Sequence, residues 1–147
     1  MPTATYRNEF LAAPRRPAGD PLDWEVREIM SPGVTSVVED ASLRQVYRAL
    51  AAHRVHAILV LSLADGRALG WVTAKGLLGW IGADETMRPA RDAITEEPLT
   101  INPSATAAEA IALLSGRDVS HLLVQRGPGM LPEGVVTEMD LVALRLP

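Results

Sequence analysis

Apolar and polar positions along this chain change period several times, and the changes occur in the same order twice. Leu43, Val46, Tyr47 and Leu50 fall at helical spacing, and so do Ala107, Ala110, Ile111 and Leu114. A helix-start signal precedes each run. In Ser42-Leu43-Arg44-Gln45 and in Thr106-Ala107-Ala108-Glu109, a hydroxyl can accept from the third backbone N–H while Gln or Glu reaches back to the first residue. Upstream lie the β-branched stretches Val34-Thr35-Ser36-Val37-Val38 and Leu99-Thr100-Ile101, which predict strands. Downstream, Ala57 to Leu61 and Leu122 to Gln125 are apolar runs too short for helices, and they predict strands buried on both faces. Turn residues follow, Asp65-Gly66 and Gly127-Pro128-Gly129, then a Gly-x-x-Thr strand and a last short helix.

The recurrence keeps a constant offset of 64. Gly70-Trp71-Val72-Thr73 returns as Gly134-Val135-Val136-Thr137, and Val55 to Val60 returns as Val119 to Val124. The chain therefore reads as one β-α-β-β-α unit written twice, an α+β fold. A three-stranded sheet covered by helices on one face leaves apolar surface uncovered, so the halves are expected to pack together about a pseudo-twofold axis. The expected divisions are a flexible N-terminal arm over 1–22, punctuated by Pro2, Pro14, Pro17 and Pro21, a first repeat over 23–84 and a second over 85–147. The first repeat opens with a lead-in helix from Asp23 to Met30, anchored by Trp24.

Composition narrows the function classes. With 48% apolar and 4% aromatic residues, the core is built from aliphatic side chains. A net charge of −4 and few aromatics oppose nucleic-acid binding, which draws on clustered positive charge and stacking surfaces. The absence of cysteine removes disulfides, thiolate metal sites and a cysteine nucleophile. No apolar run approaches the ~20 residues of a membrane-spanning helix, and no signal-peptide core is present, so a cytoplasmic location without membrane contact is expected. Arginine and alanine usage, beside the single lysine Lys75, fits a GC-rich bacterial genome. No Gly-x-Ser-x-Gly elbow, HExxH pair or phosphate-binding loop occurs, and no enzyme activity is expected.

The residues resemble a known family, the cystathionine-β-synthase (CBS) domain in its tandem form, the Bateman module. The resemblance rests on Val26-Arg27-Glu28-Ile29-Met30-Ser31-Pro32, on the strand Val119 to Val124, and on Gly134-Val135-Val136-Thr137-Glu138-Met139-Asp140. It covers nearly everything after the arm. It implies a regulatory module, occurring alone or attached to a protein it controls, that associates as a homodimer. The implied ligand is an adenosine-containing small molecule such as AMP, ADP, ATP or S-adenosylmethionine, held in clefts between the two repeats, with no cofactor required. The regulated protein is unknown. By resemblance, the base lies near Val34, Thr35, Val55, His56 and Ala57 of the opposite repeat.

Thr137 and Asp140 suit the rest of such a ligand. A carboxylate three residues past the threonine, at a strand-to-helix junction, can accept from both ribose hydroxyls, and the threonine hydroxyl can face phosphate oxygens. The same spacing is also a helix cap that stabilises the junction with no ligand at all. In the first repeat Thr73 is kept, but Gly76 replaces the acid, so two unequal clefts are expected, with Lys75 either solvated or facing a longer phosphate chain. His56 and His121 begin equivalent strands one position out of register and have no partners at metal-ligand spacing, so they read as cleft-edge or packing residues, with no metal site expected. His53 closes a helix. Trp71 reads as core, Trp80 as an interface cover. The competing reading is a ligand-free dimerisation or partner-docking module, to which Gly76 lends support.

Overall fold

The computed structural model describes residues 4–5 and 17–146. In chain order the elements are β1 (Ala4–Thr5), α1 (Val26–Ile29), β2 (Ser31–Pro32), β3 (Thr35–Val38), α2 (Leu43–His53), β4 (Ala57–Leu61), β5 (Ala68–Thr73), α3 (Ala74–Leu77), β6 (Thr100–Ile101), α4 (Ala107–Gly116), β7 (His121–Val124), β8 (Gly134–Thr137) and α5 (Glu138–Val142). Short 3₁₀ turns lie at Pro21–Asp23, Ala90–Ala93 and Ala143–Arg145. The α+β class is as expected, with a separate sheet for each repeat.

The capping signals form as the sequence specifies. Ser42 and Gln45 exchange bonds of 3.2 and 2.9 Å at the start of α2, and Thr106 and Glu109 exchange bonds of 3.2 and 2.8 Å at the start of α4. Helix α2 ends where Arg54 takes a left-handed conformation at φ 52° and turns the chain toward β4. In each repeat a parallel strand pair wraps the helix, β3 with β4 and β6 with β7, and an antiparallel strand follows, β5 or β8.

The compact units do not follow the linear halves. One comprises Val34–Pro98 together with β1; the other comprises residues 17–33 together with 99–146. The chain leading into each repeat is built into the unit of the other repeat. Val26 N–H donates to Ala105 O at 2.7 Å, Arg27 N–H to Pro103 O at 3.0 Å, and Ala107 N–H to Trp24 O at 2.8 Å. Shifted by 64, the same bonds recur: Ala90 to Ala41 at 2.7 Å, Arg91 to Glu39 at 3.0 Å, and Leu43 to Arg88 at 2.8 Å. The cores repeat at the same offset. Leu43, Val46, Ile58, Val60, Val72 and Leu77 in the first unit correspond to Ala107, Ala110, Leu122, Val124, Val136 and Leu141 in the second. Ala90 and Val26, one from each lead-in, complete the two cores.

Two expectations are corrected. Each sheet has four strands rather than three, in the orders β1-β3-β4-β5 and β2-β8-β7-β6, because a segment preceding the repeat adds an edge strand. The lead-in is not one helix from Asp23 to Met30. A 3₁₀ turn over Pro21–Asp23 is separated from α1 by extended Trp24 and Glu25, since Glu25 caps α1 and its neighbour Trp24 serves as acceptor for α4. Within the arm over 1–22, Ala4 and Thr5 pair with Ser36 and Thr35, and Asp20 caps the 3₁₀ turn through Leu22 N–H at 3.0 Å. Residues 1–3 and 6–16 of that arm lie outside the described residues.

The glycines of the two Gly-x-x-Thr strands owe their place to the lead-ins. At Gly134 a Cβ would stand 2.5 Å from Ser31 O and 2.7 Å from Met30 Sδ; at Gly70 it would stand 2.7 Å from Glu96 O. Only a residue without a side chain lets the crossing segment come this close.

Candidate functional site

In the first unit Ser36 lies beside Leu59 in the parallel pair, and Thr73 lies beside Ala57 in the antiparallel pair. The starts of β3 and β4 and the end of β5 consequently share one end of the sheet. Val34 and Thr35 enter β3 there, Val55 and His56 lead into Ala57 of β4, and Thr73 closes β5. All the first-repeat candidates are thus brought to a single sheet end. Their accessibility differs: Val34, Thr35 and Ala57 are buried at 2%, 6% and 7% exposure, Val55 and Thr73 are half-buried, and His56 is exposed. The buried three can form a wall or offer backbone groups, whereas His56 presents its ring to solvent. His56 O accepts from Ala74 N–H at 2.8 Å, which ties the loop before β4 to the start of α3.

The second unit arranges His121, Thr137 and Asp140 at the equivalent end. His121 stands beside Thr137 across the β7–β8 pair. Ser120 Oγ lies 2.9 Å from His121 Nδ1, fixing the ring's orientation at the strand start. Asp140 Oδ2 accepts from Thr137 N–H at 2.9 Å and from Thr137 Oγ1 at 3.2 Å, while Asp140 N–H donates to Thr137 Oγ1 at 3.4 Å. The capping role anticipated from the spacing is therefore present. Both bonds that the carboxylate accepts from Thr137 fall on Oδ2. Asp140 and Thr137 are each half-buried, which places the pair at the surface of the junction rather than inside the core.

The corresponding junction of the first unit is built differently. Thr73 Oγ1 caps α3 through Gly76 N–H at 3.0 Å, and its second oxygen neighbour is Thr95 Oγ1 at 3.4 Å. Thr95 escaped the reading of the sequence. The signal was available, because Ala90-Arg91-Asp92-Ala93-Ile94-Thr95 repeats Val26-Arg27-Glu28-Ile29-Met30-Ser31 at the offset of 64.

Among the described residues, no group of three or more His, Asp or Glu is placed to hold a metal ion, and no helix is long and apolar enough to cross a membrane. Trp71 is buried at 2% exposure, while Trp80 is half-buried against the first core with Arg88 stacked 5.5 Å from its ring centre.

Residues 26–83 and 90–146 each match the CBS domain family. The chain belongs to the CBS-domain family. Its tandem CBS pair is similar to several solved structures. A CBS-domain-containing protein from Agrobacterium tumefaciens is 22% identical, with a TM-score of 0.72 over 89% of this chain and 100% of that one. The CBS domain of a bacterial CNNM/CorC family Mg2+ transporter, solved in complex with ATP, is 24% identical, with a TM-score of 0.70 over 82% of this chain and 85% of that one. A CBS domain protein from Pyrobaculum aerophilum, complexed with AMP, is 23% identical, with a TM-score of 0.68 over 80% of this chain and 89% of that one. Likeness at these identities establishes the CBS fold. No curated protein matches the chain by sequence.

Proposed function

We propose that this CBS-domain protein is a regulatory module that binds an adenosine-containing ligand, AMP, ADP, ATP or S-adenosylmethionine, and controls a second protein without catalysing a reaction. The observation that carries the proposal is the junction of β8 and α5, where Thr137, Asp140 and His121 are held together at one sheet end by the fold itself. Asp140 is the proposed ribose acceptor and Thr137 the proposed phosphate-facing hydroxyl. Val34, Thr35, Val55, His56 and Ala57 are the set proposed to meet the base, with Thr73 the counterpart of Thr137 in the weaker half. AMP and ATP complexes among similar CBS structures support the ligand class. A homodimer and a cytoplasmic setting belong to the same proposal.

A second reading is favoured by a separate observation. Met139, Val142 and Leu146, on or just after α5, are 72%, 62% and 62% exposed, an apolar group of the kind that marks an association surface. A docking or dimerisation module would need that surface and no nucleotide.

A thermal-shift panel of adenine compounds separates the two. A ligand at one hundred times its dissociation constant stabilises the folded state by about 2.7 kcal/mol, or roughly 5–11 °C for a domain of this size. A shift with one adenosine compound is the expected result; the absence of a shift with every one of them favours docking.

A further inference from the structure

Gly76 is not required by the backbone. It lies inside α3, with no left-handed conformation, where glycine ordinarily weakens a helix relative to alanine. Its surroundings give the reason for it. A Cβ at this position would stand 3.0 Å from Thr95 Cγ2 and 3.3 Å from Thr95 Oγ1, besides 3.1 Å from the helix's own capping oxygen, Thr73 Oγ1. The backbone of Thr95 is held in place, because its N–H donates to Trp71 O at 3.0 Å and Trp71 N–H donates to Glu96 O at 2.9 Å.

The two crossing segments differ in register by one residue: in the first unit Glu96 is the bridge partner of Trp71. Ser31 stands beside Val135 in the β2–β8 pair. Ser31 is 64 positions before Thr95, and Val135 is 64 positions after Trp71. Serine lacks the γ-methyl group that a side chain at position 76 would meet first, and the second repeat carries Asp140 at the position equivalent to 76.

We infer that Thr95 excludes a helix-start carboxylate from the first repeat and so keeps that repeat's site neutral. Thr95 also supplies the oxygen next to the Thr73 hydroxyl, as Asp140 does for Thr137, which replaces a charged acceptor with an uncharged one. Replacing Gly76 by aspartate alone then does not recreate the second repeat's junction, because the methyl of Thr95 stands against the new side chain. The consequence for ligand selection rests on the adenosine-binding proposal; the pairing of the two positions does not.

Two measurements on the full chain test these parts separately. The first is the melting temperature, without ligand, of Gly76→Ala in the parent and in Thr95→Ser. Coupling predicts that alanine lowers it, or leaves it unchanged, beside Thr95 and raises it beside serine. Equal shifts in the two backgrounds overturn the inference. The second is titration calorimetry with AMP. Gly76→Asp with Thr95→Ser should strengthen the weaker site by about 10-fold or more, the scale of one charge-assisted hydrogen bond, while Gly76→Asp alone should not. An equal gain in the single variant overturns the inference as well. If the parent binds none of AMP, ADP, ATP and S-adenosylmethionine, the adenosine proposal loses its support, and the melting-temperature comparison still decides the pairing.

Discussion

Replacing Gly134 by alanine tests whether the exchanged lead-in segment dictates the Gly-x-x-Thr strand. The new methyl carbon would stand 2.5 Å from Ser31 O, 2.7 Å from Met30 Sδ and 3.2 Å from Met30 Cγ. A carbon meets a carbonyl oxygen comfortably at about 3.3 Å, so β2 and β8 must part by most of an ångström. The methionine sulfur can swing away, but the carbonyl of Ser31 belongs to the backbone. Its strand is held at both ends, by Met30 N–H to Val26 O at 2.9 Å and by Gly33 N–H to Glu133 O at 2.9 Å. Overpacking of this kind costs about 1–3 kcal/mol, which for a chain of this size lowers the melting temperature by about 2–12 °C. Differential scanning calorimetry of the variant beside Gly116→Ala is the assay. Gly116 ends α4, and nothing lies within 4 Å of the point its added methyl would occupy, so that substitution should be neutral or stabilising by up to about 1 kcal/mol. If Gly134→Ala melts with the parent, the close approach is not what selects glycine there.

Trp24→Ala removes a side chain that is 8% exposed and whose ring N–H donates to Ala18 O at 3.3 Å, so a loss of about 3–5 kcal/mol is expected in urea unfolding. A midpoint equal to the parent's would mean that the lead-in contributes little to the second unit. Tyr47 has its pKa raised above 10.0 by burial first, then by its 3.0 Å hydrogen bond to Glu85 and the charge of that carboxylate. The fold favours neutral tyrosine, so this contribution is complete below pH 10 and is lost as pH rises through the higher folded value. The difference in stability between the parent and Tyr47→Phe should therefore shrink in strongly alkaline solution; a difference constant with pH would contradict the assignment.

The fold was legible wherever a local signal coincided with the repeat. Ser42 with Gln45 and Thr106 with Glu109 announced both main helices, and the capping pairs formed as written. The short apolar runs at Ala57 and Leu122 announced the buried strands. What the sequence hid was non-local. Nothing in Trp24 to Met30 says that its partners are Pro103, Ala105 and Ala107, because strand and cap pairing across some 80 residues leaves no local periodicity. The extra edge strands were missed for a related reason: β1 and β2 contain only two residues each, too few to show alternation. At the candidate site, Thr137 and Asp140 were visible because a threonine and an acid three apart follow a strand. Thr95 was not, since its importance depends on how closely it packs against Gly76, which only the folded chain reveals.

The central claim, that the β8–α5 junction binds the ribose of an adenosine ligand through Asp140, is tested most directly by calorimetric titration of AMP into the parent and into Asp140→Asn. Asparagine keeps an oxygen that can accept from Thr137 N–H, so the cap survives while the charge is removed. The loss of a charge-assisted bond, about 1.5–3 kcal/mol, predicts 10- to 150-fold weaker binding at the dominant site. Unchanged affinity in the variant would contradict the claim.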